Sequence, residues 1–146
     1  MGAMTNYLEN KIQDQLWRGQ AFTFPGTLYF ALMTVAATEA GGGTEVSGGG
    51  YARVAMVCSL VNFSGTQGAG TTAASSGTGG QISNNVPITF PAPTANWGTV
   101  VAMAVFDAAS GGNMLWQSAL VSSKTINNGD AAPSWNAAQF TATVNT

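Results

Sequence analysis

The sequence predicts a mainly β fold: an antiparallel β-sandwich or barrel, jelly-roll-like, led by one N-terminal α-helix. Three observations predict it. One helical apolar stripe lies at the start of the chain, and six strand-length apolar or alternating segments follow. The connections between the later segments are short and rich in Gly and Asn. No residues remain for the crossover helices that parallel strands need.

The helix is expected over Asn6–Arg18. Asn6 serves as N-cap, with Glu9 three positions later as in a capping box. Leu8, Ile12 and Leu16 recur at i, i+4 and i+8, with Tyr7 and Trp17 beside them, while Lys11, Gln13 and Asp14 face away. Gly19 after Arg18 suits a helix C-terminus by its φ freedom and by the helix dipole. So short a helix needs a surface to pack against.

Strands are expected at Thr27–Val35, 51–60, 81–90, 98–107, 114–124 and 135–144. In 51–60, Ala52, Val54, Met56, Cys58 and Leu60 share one face, and Tyr51, Arg53 and Ser59 share the other. Residues 81–90 are broken by Pro87 and closed by Pro91 and Pro93, which places them at an edge. Residues 98–107 are nearly continuously apolar and read as central. The turn signals Ser110-Gly111-Gly112-Asn113 and Asn127-Asn128-Gly129-Asp130 predict hairpin connections among the last three strands.

With 146 residues the chain is one domain's worth, and 1–146 is read as a single β-rich unit. Six acidic and four basic side chains make only 7% of it charged, with a formal net charge of −2 and 45% apolar residues. Ordinary soluble domains carry roughly a quarter charged residues, so this exterior is nearly neutral and makes sense if neighbours cover it. Four scattered cations cannot neutralise a run of phosphates, so no nucleic-acid partner is expected. The absence of histidine removes histidine catalysis and histidine metal sites, and a lone cysteine removes an internal disulfide scaffold. No apolar run reaches the roughly 18 residues of a membrane span. Residues 1–4 show no secretory pattern, and Asn6 stands where a myristoylation motif wants Ser or Thr; this stretch is equally compatible with a cloning scar.

Two glycine-rich segments interrupt the strands: 38–50 (TEAGGGTEVSGGG) and 64–80, which has no charge at all. Both are expected to be flexible loops, the longer one either a floppy connection or an arm that orders against a neighbouring subunit.

Candidate sites divide into the improbable and the structural. The triplets Gly41–Gly43 and Gly48–Gly50 lack the following helix and lysine of a phosphate cradle, so they read as turns. Cys58 has no base nearby in sequence and is expected to be buried. Among the carboxylates, Asp107 and Asp130 sit beside glycine turns, as Asp commonly does, and Glu9, Asp14, Glu39 and Glu45 form no catalytic or calcium spacing. No catalytic residue, cofactor or metal site is therefore assigned. The four tryptophans and ten other aromatics serve either as core, as interface anchors or as a carbohydrate platform. Tyr51 and Arg53 on an outward strand face, with Trp97 and Trp116, are the expected interface anchors.

Several segments carry a resemblance. LWRGQ (16–20), PGTLYFALMT (25–34), GGGTEVSGGGYARV (41–54), ITFPAPTANWGTV (88–100), FDAASGGNMLWQSAL (106–120) and a closing K-x-I-x-x-G-D (124–130) run in order across about three-quarters of the chain. The chain resembles the small virion proteins of tailed bacteriophages often labelled tail-fibre-like, and 64–80 is longer and blander than their pattern. The resemblance implies a non-enzymatic structural component of the virion, in the capsid head or the tail, assembled in the host bacterial cytoplasm. Elongated fibres carry shaft repeats, heptads or β-helical periodicity, and this chain has none. The expectation is thus a capsid cement (decoration) protein that stabilises the head by subunit contacts. A tail-fibre-like or tail-associated host-attachment protein is the alternative, and a carbohydrate-binding module the second. Expected partners are the major capsid protein or other virion proteins and the chain itself as a dimer or trimer, with no membrane.

Overall fold

A thirteen-residue helix, α1 (Asn6–Arg18), follows a short strand β1 (Ala3–Met4) and precedes nine further strands. These are β2 (Thr27–Val35), β3 (Thr44–Glu45), β4 (Val54–Val57), β5 (Gln81–Ser83), β6 (Ile88–Thr89), β7 (Gly98–Phe106), β8 (Met114–Ile126), β9 (Ser134–Trp135) and β10 (Thr141–Thr143). The computed structural model describes residues 2–144, so the reading of residues 1–4 falls partly outside the described residues.

Every pairing is antiparallel. The main sheet runs β1-β8-β7-β2-β3, with β4 also on β2, and two ribbons, β5–β10 and β6–β9, complete the fold. Phe30, Leu32, Val105 and Trp116 of the sheet share one core with Ile88, Phe90 and Phe140 of the ribbons and their flanks. Phe30 and Phe140 meet edge to face at 5.0 Å. Sheet and ribbons thus form two layers, and no barrel closes. The opposite face of the sheet carries Ala31, Ala102 and Ala104, all fully buried, with Met33 and Phe106.

Asn84 fastens the ribbons. It has no exposed surface, yet every hydrogen-bonding group finds a partner. Its amide donates to the carbonyls of Val86 and Asn136, and its Oδ1 accepts the Phe140 N–H. Loss of any of these would orphan a buried polar group.

The helix occupies the predicted residues, but its cap moves by one. Thr5 is the N-cap, extended at φ −82° and ψ 155°, and its side chain accepts from Leu8 N. The displacement follows from β1: Thr5 N still donates to Leu115 O in the sheet, and Asn6 N is taken by Glu39 O. Gly19 closes the helix in the left-handed region at φ 65°. No residue of α1 is buried, and Leu16 and Trp17 are 68% and 75% exposed. The apolar stripe therefore runs out over solvent along its C-terminal half.

Three expected strands are shorter or divided. Only Val54–Val57 of 51–60 pairs, Pro87 separates β5 from β6, and 135–144 splits into β9 and β10. Ser110–Asn113 does form the β7–β8 hairpin. Asn127–Asp130 forms its turn, with Asp130 Oδ2 accepting Asn127 N, but the chain then leaves the sheet and β9 pairs with β6. Cys58 lies past the end of β4 and is exposed rather than buried. Its sulfur leans on Pro25 O at 3.4 Å, and that partial burial pushes the thiol pKa up, away from a reactive thiolate. The 64–80 segment holds no strand and folds upon itself: Thr66 Oγ1 donates to Ser76 O, and Gln67 bonds Ala74 O and Ser76 N.

Candidate interaction site

The edge of β2 is shared by two short strands. β4 pairs with Thr27 through Phe30 and β3 with Met33 and Val35. Between them Leu32 is left without a strand partner on that side. Val46 N donates to Leu32 O, and the Leu32 N–H is accepted by Tyr51 Oη at 2.9 Å. The tyrosine hydroxyl in turn donates to Glu45 Oε1 at 2.8 Å.

Arg53 completes the chain of bonds. Its Nε and Nη2 donate to the two oxygens of Glu45, and its Nη1 donates to the carbonyls of Ala108 and Gly111 in the β7–β8 turn. The guanidinium stacks over the Phe106 ring, 3.6 Å from its centroid. The same turn is held by Asp107, whose carboxylate accepts both the backbone and the side-chain N–H of Asn113. Gly112 is required there, because a Cβ would lie 2.5 Å from Asp107 Oδ1.

Burial raises the Glu45 pKa, but the Arg53 and Tyr51 hydrogen bonds and the Arg53 charge together hold it below the ordinary carboxylate value. Burial, reinforced by the bond to Glu45, pushes the Tyr51 hydroxyl well above the ordinary phenol value. Glu45 is thus held as a carboxylate and Tyr51 as a neutral hydroxyl within one hydrogen-bonded cluster with Arg53.

The outward-face reading of Tyr51 and Arg53 is corrected by this geometry. Arg53 keeps only 6% of its side chain exposed, and the Tyr51 ring lies between Phe90, stacked at 6.2 Å, and Trp97, edge-on at 5.3 Å. Both residues precede β4, so strand alternation does not govern their direction. Trp97 is buried and donates to Gly49 O. Trp116 is buried, and its Nε1 has no partner among the described residues. The structure therefore brings Tyr51, Arg53 and Trp97 together inside the fold and places Trp116 elsewhere in the core. Glu45, which the sequence showed only as forming no catalytic or calcium spacing, is the residue that joins Tyr51 to Arg53; the spacing Glu45–Tyr51–Arg53 within the one distinctive motif was its signal.

What stays open lies elsewhere. A cleft of about 430 Å³ runs beside Tyr7, Met33, Phe106 and Met114, with Glu45 and Arg53 in its wall. A groove of about 620 Å³ follows β8 against Trp135 and Phe140. Leu16 and Trp17 on α1 and Phe24 just after it form the exposed apolar surface at this end of the chain. No group of three or more potential metal ligands occurs among the described residues, and none of their helices is long and apolar enough to cross a membrane.

The fold is a small antiparallel β protein whose distinctive polar side chains bind its own loops and strands together. Residues 3–143 match the family model described as podophage GP4 fiber I protein gp80, and the chain belongs to that family. It is a structural protein of a phage virion. No curated protein matches the chain.

Proposed function

We propose that this chain is a fibre component of the virion tail that works by passive adhesion, without catalysis, cofactor or metal. The observation that carries the reading is the unburied apolar stripe of α1, ending in Leu16 and Trp17, on a chain with only ten charges. Such a helix face is covered when copies of the chain, or a neighbouring virion protein, pack against it. Burial would contribute roughly 25 cal/mol per Å² of apolar surface before ordering costs. Repeated copies turn weak contacts into a durable attachment. The description of the family as fibre proteins supports the tail, and assembly as a symmetric dimer or trimer would suit a fibre.

One observation favours a second reading, a cement protein on the capsid head: the chain carries none of the repeats of an elongated shaft. Copy number separates the two. Quantitative protein staining of purified virions is expected to give tens of copies or fewer, lost together with the tail when heads and tails are separated. Hundreds of copies in fixed ratio to the shell protein would overturn the tail reading in favour of cement.

A further inference from the structure

All but two of the ten charges meet a complementary group within the chain. Arg18 pairs with Asp14 and Arg53 with Glu45. Asp107 accepts from Asn113, and Asp130 from Asn127 N. Lys11 lies over the Tyr7 ring, 5.7 Å from its centroid. Glu9 stands in the first turn of α1, where the helix dipole favours an acid. One charge of each sign is left without a partner among the described residues: Glu39 and Lys124. Both are exposed.

The two stand on surfaces of opposite shape. Glu39 and Ala40 form the tip of a tight turn, closed by Thr38 N to Gly41 O at 3.0 Å and Gly41 N to Thr38 O at 2.9 Å. Asn6 N, donating to Glu39 O, fixes this turn beside the start of α1. The backbone N–H and C=O of Ala40 bond no described residue. Lys124, by contrast, lines the groove beside β8 and is its only charge, with Leu120, Val121, Trp135 and Phe140 as apolar wall. Val100 pairs with Lys124 and Ala102 with Ala119, so β8 spends five steps here where β7 spends two. The surplus forms a wide bulge with Val121 fully exposed.

We propose that this groove receives the 38–41 turn of a second copy of the chain, with the incoming Glu39 carboxylate on Lys124. Within one chain the two cannot meet. Glu39 lies beside Asn113 and Met114, and Met114 pairs with Phe106 while Lys124 pairs with Val100. Six steps along β7, about 20 Å, separate them. In the contact, the small Ala40 side chain enters the apolar wall. Its free N–H and C=O meet the hydroxyls of Ser122 and Ser123 in the lining, which both donate and accept. Turn and groove occupy different parts of the surface, so the contact is head-to-tail and either closes a ring or runs on as a filament. One exposed ion pair adds little affinity; it fixes register and orientation instead. The contact therefore rests on the fibre reading, in which α1 supplies the apolar area that holds copies together.

A zero-length carbodiimide cross-linker, which joins a carboxylate to an amine in direct contact, tests this on mixed isotope-labelled and unlabelled full chain. The expected product is an amide between Glu39 of one copy and Lys124 of another, found by mass spectrometry as a mixed-label peptide pair. Ala40→Trp leaves both reacting groups in place and should weaken the link about tenfold by overfilling the groove. The double variant Glu39→Lys with Lys124→Glu should form the link with its sense reversed. Absence of a mixed-label link, or a link that Ala40→Trp leaves intact, overturns the proposal. So does a Lys124 that is joined in purified virions to a different protein and not to Glu39. The helix reading fails separately: a link that survives Leu16→Gln with Trp17→Gln removes the role of α1 and leaves the turn contact standing.

Discussion

Arg53 grips Glu45 with a fork: Nε donates to Oε1 at 2.9 Å and Nη2 to Oε2 at 2.8 Å. The arginine is the deeper partner, with 6% of its side chain exposed against 25% for the glutamate. Because Arg53 also holds two carbonyls of the β7–β8 turn, one side chain ties the glycine-rich loop, the start of β4 and that turn together. Planar, doubly bonded pairing of this kind is what a guanidinium does and an ammonium does not.

Replacing Arg53 with methionine should therefore cost roughly 2–4 kcal/mol. That is the lower side of the range for a broken buried pair, since Glu45 keeps water on one flank. Arg53→Lys should recover only part of it. Urea unfolding measures both, and a midpoint unchanged from wild type in Arg53→Met would refute the role of the fork.

The same cluster sets the pH limits of stability. The Glu45 pKa lies below its unfolded value, so its contribution is present at neutral pH and fades as pH falls through the carboxylate range. The Tyr51 pKa lies above its unfolded value, so its contribution is present below about pH 10 and fades above it. Thermal melts across pH should show both limbs. Glu45→Gln should flatten the acid limb and Tyr51→Phe the alkaline one.

Adjacent glycines offer an internal control. Gly42 and Gly43 both have positive φ, at +79° and +78°. A Cβ on Gly42 meets nothing within 4 Å, whereas on Gly43 it falls 2.6 Å from Val35 O and 2.9 Å from Ala37 N. Gly42→Ala should cost about 1 kcal/mol, the strain of the left-handed conformation. Gly43→Ala should lower Tm distinctly further, because backbone must move. Equal losses would mean that the loop yields without cost.

On α1, the double substitution Leu16→Gln with Trp17→Gln should leave monomer stability within about 0.5 kcal/mol, as for other exposed positions. It should abolish self-association in sedimentation velocity. Persistence of the oligomer would move the interface away from the helix.

Local patterns were legible to the degree that local forces made them. The i, i+4, i+8 stripe located α1 to the residue, since helix bonds join near neighbours in sequence. The unbroken apolar runs located β2 and β7, whose residues lie between other strands. The Asn6 cap was misplaced because a sheet bond, Thr5 N to Leu115 O, holds the preceding residue extended. The division of 81–90 was visible in Pro87, but its consequence was not: β5 joins β10 and β6 joins β9, across separations that no short window spans.

Composition and periodicity alone were enough for an antiparallel, helix-led, nearly uncharged β protein, because burial demand and turn chemistry are written residue by residue. The direction of Tyr51 and Arg53 and the saturation of Glu45 were settled by folding. Each depends on a partner brought from a distant segment, and strand alternation says nothing about side chains that lie outside a strand.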